Sequence, residues 1–353
     1  MTNIALIIDV GGTNTRANLY DFKRNKITKY ANFNRLISSK INLSEFIEEI
    51  IKSVSYKEVI KAVFLAFAGP ILYEDRLITM SNWKSPNCIS FDEIQNWSIP
   101  TDKTYIINDL EAGAFGLISL IESSSTNFEI LYGEAQLKEN IKNGNKLIIL
   151  PGTGLGCVGI VEIAKSNKST VYKPLSIECQ HTTIPHINKL QQMVMSLLLK
   201  NAKNSTVTWE DFISGRGLVS IYNSLTSKTH RVDTTKILKT YDPAEYIAYN
   251  AMTGEDKLCC ESLNLYYQCL GRFAQLMALT FKPSGGIFLA GSTSIKNKTF
   301  IQHSDFLNEY LNNSTQLHLL KKFPIFIVLD ELNINGMIWL LKKKNYQLTY
   351  RLT

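Results

Sequence analysis

The stretch Ile4-Ala5-Leu6-Ile7-Ile8-Asp9-Val10-Gly11-Gly12-Thr13-Asn14-Thr15-Arg16-Ala17-Asn18-Leu19-Tyr20 constrains the fold more than any other. Its opening apolar run reads as a buried strand. A Gly-Gly-Thr-Asn turn follows, and a second strand begins at Arg16, so the pair predicts a hairpin. Glycines in such a turn allow a ligand to approach the backbone closely. The amides of Gly11, Gly12, Thr13 and Asn14, with the side chains of the last two, suit an anion. Asp9 falls at the strand end, where a cation bridging phosphates is held by carboxylates. The expectation is a nucleotide-phosphate loop carried on a hairpin.

The same pattern restarts near the middle of the chain. Lys146–Leu150 is an apolar strand, Pro151-Gly152-Thr153-Gly154-Leu155-Gly156 a Gly-rich turn, and strands Cys157–Ile163 and Thr170–Ile177 follow. In each half, strands bracketing a Gly-rich turn are followed by mixed helices and strands, a duplication of element order rather than of residues. Gly154–Gly159 formally fits a dinucleotide fingerprint, but that motif must open a helix. Val158, Ile160, Val161 and Ile163 favour a strand instead. The polar stretch 122–145 is the linker expected between the halves.

Between the turns, Leu43, Phe46, Ile47, Ile50, Ile51 and Val54 recur at helical spacing, with Asn42 as the expected cap. Val59–Ala68 reads as a buried strand and Ser90-Phe91-Asp92-Glu93 as a capping box. Lys103–Asn108 is a strand running into a helix that reaches Leu120. Later helices are expected at about 187–200, 209–223, 258–281 and 304–311, with a last one from about Asn335. Strands are expected at Gly286–Gly291 and Phe323–Asp330.

Net charge is +7, but the basic residues are scattered, and Lys342-Lys343-Lys344 reads as a solvated helix end. No nucleic-acid surface is expected; the positive balance suits an anionic small substrate. The six cysteines lack framework spacing, which points to free thiols in a reducing, cytoplasmic compartment. Asp9 interrupts the first apolar run and no run approaches the roughly 18 residues that span a bilayer, so no membrane partner is expected.

Individual motifs leave alternatives open. Asp109, at a strand end before a helix, fits a helix cap or a base that takes a proton from an attacking hydroxyl. Glu178-Cys179-Gln180-His181, with His186 nearby, lacks a zinc spacing. Glu178 and His181 suit the vicinal hydroxyls of a sugar, or a plain solvent-facing loop. Glu210 reads as a first-turn helix acid. The strand ending in Ala290-Gly291-Ser292 fits the floor of an adenine site or a packing constraint.

Taken together, the segments resemble the bacterial glucokinase family of the actin/hexokinase-like superfamily. The resemblance is carried by Asp9–Arg16, Ala68-Gly69-Pro70-Ile71, Met80-Ser81-Asn82-Trp83, Ile107-Asn108-Asp109-Leu110 and Gly152–Gly156. Glu178 with His181, and Glu210 before Ser214-Gly215-Arg216-Gly217-Leu218-Val219, complete it. It implies an α/β fold of two ribonuclease-H-like lobes with a central ATP/sugar cleft. A discontinuous small lobe of 1–108 plus 335–353 and a large lobe of 109–334 follow.

The implied activity is ATP-dependent phosphorylation of a hexose, most simply glucose, at its 6-hydroxyl. Asp109 is then the base, and Asn82, Asn108, Asp109, Glu178, His181 and Glu210 hold the sugar. Asp9 with Mg²⁺, the 11–14 turn, Gly152, Thr153, Gly154 and Gly291 hold ATP. Assembly into a homodimer is left open.

Departures from the family pattern are local. Its paired sugar-side glycines are Cys179 and Gln180 here, its Ser-Gly-Pro-Gly proline is Arg216, and its second strand-end Gly is Ser292. The Gly-rich stretch before its last helix is Asn333-Ile334-Asn335-Gly336. The cysteine-rich zinc motif of ROK-type sugar kinases has no counterpart. A kinase for another hexose, and a sugar sensor that kept the kinase fold, are the alternatives.

Overall fold

The computed structural model describes residues 2–12, 14–23, 26–55, 57–124, 127–133, 140–165, 170–201, 206–229, 242–344 and 349–352. The chain divides into two compact units: Met1–Ser124 with Glu331–Thr353, and Ser125–Asp330.

In the first unit, β1 (Thr2–Val10), β2 (Asn14–Lys23) and β3 (Lys26–Leu36) form an antiparallel meander. β4 (Glu58–Phe67) lies parallel to β1, and β8 (Thr104–Asn108) parallel to β4. A short antiparallel edge, β15 (Tyr350–Arg351), completes the order β15-β8-β4-β1-β2-β3. Ile4, Leu6 and Ile8 of β1 and Val63, Leu65 and Phe67 of β4 are fully buried. Each such side chain contributes on the order of 1.5–3 kcal/mol. A small sheet of β5 (Ile71–Leu72), β6 (Leu77–Thr79) and β7 (Cys88–Ser90) follows β4.

Helix α1 (Lys40–Ser53) buries Leu43, Phe46, Ile47 and Ile50. Its cap is Ser39, which accepts from the Asn42 amide, not Asn42 itself. The apolar periodicity missed this first turn because Ile41 is exposed. The capping box at Ser90 and Glu93 opens α2 (Phe91–Gln95) as expected. Helix α3 (Asp109–Glu122) starts where β8 ends. The last helix, here α12 (Leu332–Lys343), begins three residues earlier than expected and packs on α3. Phe115 and Trp339 stack across that contact with centroids 5.5 Å apart.

The second unit repeats the plan. Strands β10 (Lys146–Pro151), β11 (Leu155–Lys165) and β12 (Thr170–Ile177) form the meander. β13 (Ile287–Leu289) is parallel to β10, and β14 (Ile325–Val328) parallel to β13. The antiparallel edge is β9 (Phe128–Tyr132), giving the order β12-β11-β10-β13-β14-β9. The stretch expected as linker thus contains a sheet strand. The duplicated element order is real at the level of pairing: each sheet is a meander, two strands parallel to its first, and one antiparallel edge.

Around this sheet run α4 (Lys189–Asn201), α5 (Gly215–Thr229), α6 (Pro243–Thr253) and the long α7 (Lys257–Phe281). Shorter helices are α8 (Ser292–Lys296), α9 (Lys298–His303), α10 (Phe306–Leu311) and α11 (Leu317–Leu320). Helix α5 starts six residues later than expected, because 210–212 form a turn closed by the amides of Asp211, Phe212 and Ile213. α6 was not foreseen from apolar spacing. Its buried face is Ile247, Ala248 and Ala251, too small a stripe to register, although Asp242 caps it and Pro243 opens it. No helix among the described residues is long and apolar enough to cross a membrane.

Candidate active site

In the first unit, the chemistry-bearing residues fall at the carboxyl ends of the parallel strands β1, β4 and β8, the edge where open α/β sheets bind ligands. The Gly11 amide donates to the Asn14 carbonyl at 3.0 Å and closes the turn after β1. A Cβ on Gly12 would lie 2.6 Å from Asn82 Nδ2, so the turn lies directly against Asn82. Thr13 lies outside the described residues. The Asn82 loop is tied to the end of β4 through Ser81 N to Ala68 O at 3.2 Å.

Asn108 caps α3. Its Oδ1 accepts from the amides of Leu110 and Glu111 at 2.9 and 3.3 Å, and its Nδ2 donates to Gly69 O at 2.9 Å. The capping role considered for Asp109 therefore belongs to Asn108. Asp109 is the first helical residue, and its Oδ1 accepts from the Leu110 amide at 2.9 Å.

Asp9 is the penultimate residue of β1, and burial pushes its carboxyl up. Asn333 Nδ2, from the first turn of α12, donates to Asp9 Oδ1 at 3.2 Å and opposes that shift. Arg16 lies close enough to oppose it further while pairing with Glu331. Among the described residues, no three His, Cys, Asp or Glu side chains group as a metal site. A single desolvated carboxylate still fits magnesium, which takes one or two carboxylates with phosphate and water. The Asn333 contact had no sequence signal beyond the loss of glycine at that position.

In the second unit, Gly152 N donates to Gly154 O at 2.8 Å, closing the turn between β10 and β11. Gly152 O accepts from the Gly215 amide at 2.9 Å, which fastens the turn to the start of α5. A cavity of about 750 Å³ opens beside it, lined by Gly152, Thr153, Gly215, Arg216, Tyr266 and Ser292 among others. Ser292 and Thr293, which follow the end of β13, line it as well. There Gly291, with φ of 88°, turns the chain into α8, a conformation that favours glycine.

Glu178, His181 and Glu210 come together on one side of that turn. Glu178 precedes the single 3-10 turn Cys179–His181, and His181 Nε2 stands 3.4 Å from Glu178 Oε2. Glu210 N donates to Gln180 O at 3.1 Å, which joins the two segments. Glu210 lies in the turn before α5, not in the first turn of a helix. Its Oε2 accepts from Leu155 N at 3.0 Å, and a Cβ on Gly154 would lie 2.7 Å from it. Burial raises the Glu178 carboxyl, and neighbouring Glu210 adds to this; His181 and Gln180 oppose it.

Two further residues belong to this cluster. Gln180 is buried and donates through Nε2 to Glu178 Oε2 at 2.8 Å, while its Oε1 has no partner among the described residues. Arg216 pairs with Glu210 Oε1. Both stand where the resemblance expects glycine or proline, and that mismatch was their only sequence signal. All six cysteines are free. Cys179, the other replaced glycine, packs its sulfur 3.4 Å from Met277 Sδ.

The sequence pattern of the family described as Glucokinase matches residues 6–342. The glucokinase of Saccharophagus degradans is 29% identical over 338 residues, spanning 95% of this chain and 97% of that protein. The crystal structure of glucokinase from Balamuthia mandrillaris in complex with glucose superposes with a TM-score of 0.84 at 21% identity. It covers 97% of this chain and 94% of that one. A ROK family glucokinase from Streptomyces griseus, in complex with glucose and AMPPNP, has a TM-score of 0.61 at 17% identity, covering 95% and 97%. With a pattern match running nearly end to end, the chain belongs to the glucokinase family.

Proposed function

We propose that this chain transfers the γ-phosphoryl group of ATP to the 6-hydroxyl of glucose. The observation that carries the reading is Glu210. Its carboxylate accepts the Leu155 amide of the glycine turn and stands in the electrostatic field of Glu178. Carboxylates suited to vicinal sugar hydroxyls are thereby built directly onto a turn suited to phosphate. The glucokinases cited above include one bound to glucose and one bound to glucose and AMPPNP.

The two units are read as the small and large lobes of the kinase fold. Asp109 accepts the proton of the 6-hydroxyl as its oxygen attacks the γ-phosphorus and ADP departs. Phosphoryl transfer asks the protein for positioning, charge stabilisation and one such carboxylate. Asn108 has one amide N–H left after bonding Gly69 O, and with Asn82 it orients the sugar. Glu178, His181 and Glu210 take the remaining hydroxyls. Gly11, Gly12, Thr13, Asn14, Gly152, Thr153 and Gly154 cradle phosphates, and the cavity beside Gly291 takes the nucleoside. Magnesium, held from Asp9, would neutralise charge on the phosphates.

One observation favours a second reading of the substrate. Gln180 fills, with a buried side chain, a position the family leaves as glycine. That reshapes the sugar side and favours another hexose, such as mannose. A coupled ADP-release assay with MgATP across glucose, mannose, fructose and N-acetylglucosamine tests both. Glucose-dependent ADP that falls about 10²–10⁴-fold in Asp109→Asn, with sugar binding preserved, is the expected result. Turnover confined to another sugar moves the assignment to Gln180 and that sugar. Equal turnover in the variant removes Asp109 from its role, and sugar binding without ADP leaves a sensor.

A further inference from the structure

Arg216 touches both halves of the second unit's site. The residue lines the cavity that holds Gly152 and Thr153, and one of its guanidinium nitrogens is bonded to Glu210 Oε1. The Arg216 side chain is 56% exposed, whereas the Glu210 side chain is 12% exposed. The carboxylate is therefore fixed, with Oε2 on the Leu155 amide, and the arginine is the partner that can leave. A guanidinium carries five N–H donors in a planar fork that matches phosphate as well as carboxylate. The residue stands where the family pattern has proline, which offers neither charge nor donor.

We propose that Arg216 is a nucleotide-sensing residue that couples the two substrates. Without nucleotide it occupies Glu210 Oε1. When a nucleotide fills the cavity, the guanidinium moves onto its terminal phosphates and Oε1 becomes available to a sugar hydroxyl. No bond is made or broken; one charge-assisted hydrogen bond is exchanged for another. By linkage, each ligand then raises the affinity for the other by the same factor. A half-exposed ion pair sets that factor at about two- to fivefold. The inference rests on the preceding reading of Glu210 as a sugar ligand and of the 152–154 turn as a phosphate loop.

The test is calorimetric titration of glucose into the full chain, with and without saturating MgAMPPNP, for the wild type and Arg216→Gln. In the wild type, AMPPNP should tighten glucose binding about two- to fivefold. In Arg216→Gln, glucose should bind the nucleotide-free protein more tightly than it binds wild type, AMPPNP should bind more weakly, and the coupling factor should fall toward one. Arg216→Lys, which keeps charge but loses the fork, should fall between. A loss of packing alone would weaken both ligands and would not strengthen nucleotide-free glucose binding. Wild-type coupling in Arg216→Gln, or weaker nucleotide-free glucose binding, overturns the inference while leaving the kinase reading intact. Wild type that binds neither glucose nor AMPPNP overturns both.

Discussion

Gly336→Ala sets two physical effects of opposite sign against each other. Gly336 is in the interior of α12, where alanine is ordinarily favoured over glycine by about 0.5–1 kcal/mol. Here a Cβ would lie 1.8 Å from the Ala112 carbonyl oxygen and 2.7 Å from the Gly116 nitrogen of α3. The contact is reciprocal, since a Cβ on Gly116 would lie 2.1 Å from Leu332 O. These are backbone atoms of a facing helix, so no rotamer change relieves the clash. The helices must part by more than about 1 Å. A radial gap of that size forfeits a quarter to a half of each van der Waals contact around it. The stacked Phe115–Trp339 pair, worth about 0.5–1.5 kcal/mol beyond its area, lies in that contact. Overpacking of about 1–3 kcal/mol plus a weakened stack outweighs the propensity gain by about 2 kcal/mol. For a unit of this size that is about 5–8 °C in Tm. Asn333, one turn before Gly336, would withdraw from Asp9, so the KM for MgATP should rise as well. Scanning calorimetry with the ADP assay reads both. A variant as stable as wild type, or more so, would refute the close-packing argument and leave propensity as the governing term.

Glu178 is held above the ordinary glutamate range by burial and by nearby Glu210. Sugar binding should therefore weaken on acidification at a higher pH than a surface glutamate would dictate, and Glu178→Gln should abolish that dependence; a titration of KM against pH decides it. Lys146 is buried, donates to Gly144 O and Tyr172 Oη, and is lowered to about 7 by burial. Its folded value is below its unfolded one of about 10.4, so stability from this group falls as pH drops through that range and rises from pH 7 upward. Denaturant melts at pH 7 and pH 8 should show stability increasing in wild type and a flatter profile in Lys146→Met. An unchanged profile would mean that Lys146 stays protonated in the fold.

What was legible in the sequence follows from which interactions are local. The runs Ile4–Ile8, Val63–Phe67 and Leu147–Leu150 announce buried strands because parallel strands lose both faces to the core. Their ends announce the site, because Asp9, Asn108 and Gly152 follow such strands directly. Whatever depended on weak or short signals was lost. β9 buries only Phe128, β15 is two residues long, and α6 hides an alanine-rich stripe behind exposed Tyr249 and Met252.

The side-chain partners of the site were illegible for a different reason. Asn333 reaches Asp9 across 324 residues, and Arg216 reaches Glu210 around a turn whose shape depends on Gly152, Gly215 and Gln180 together. Three of the positions that departed from the family pattern, Gln180, Arg216 and Asn333, have side chains that engage Glu178, Glu210 and Asp9. Each of these three carboxylates therefore has a side-chain partner at a departed position. The departures therefore bear on how tightly ligands bind, and the chemical step is the part proposed for Asp109.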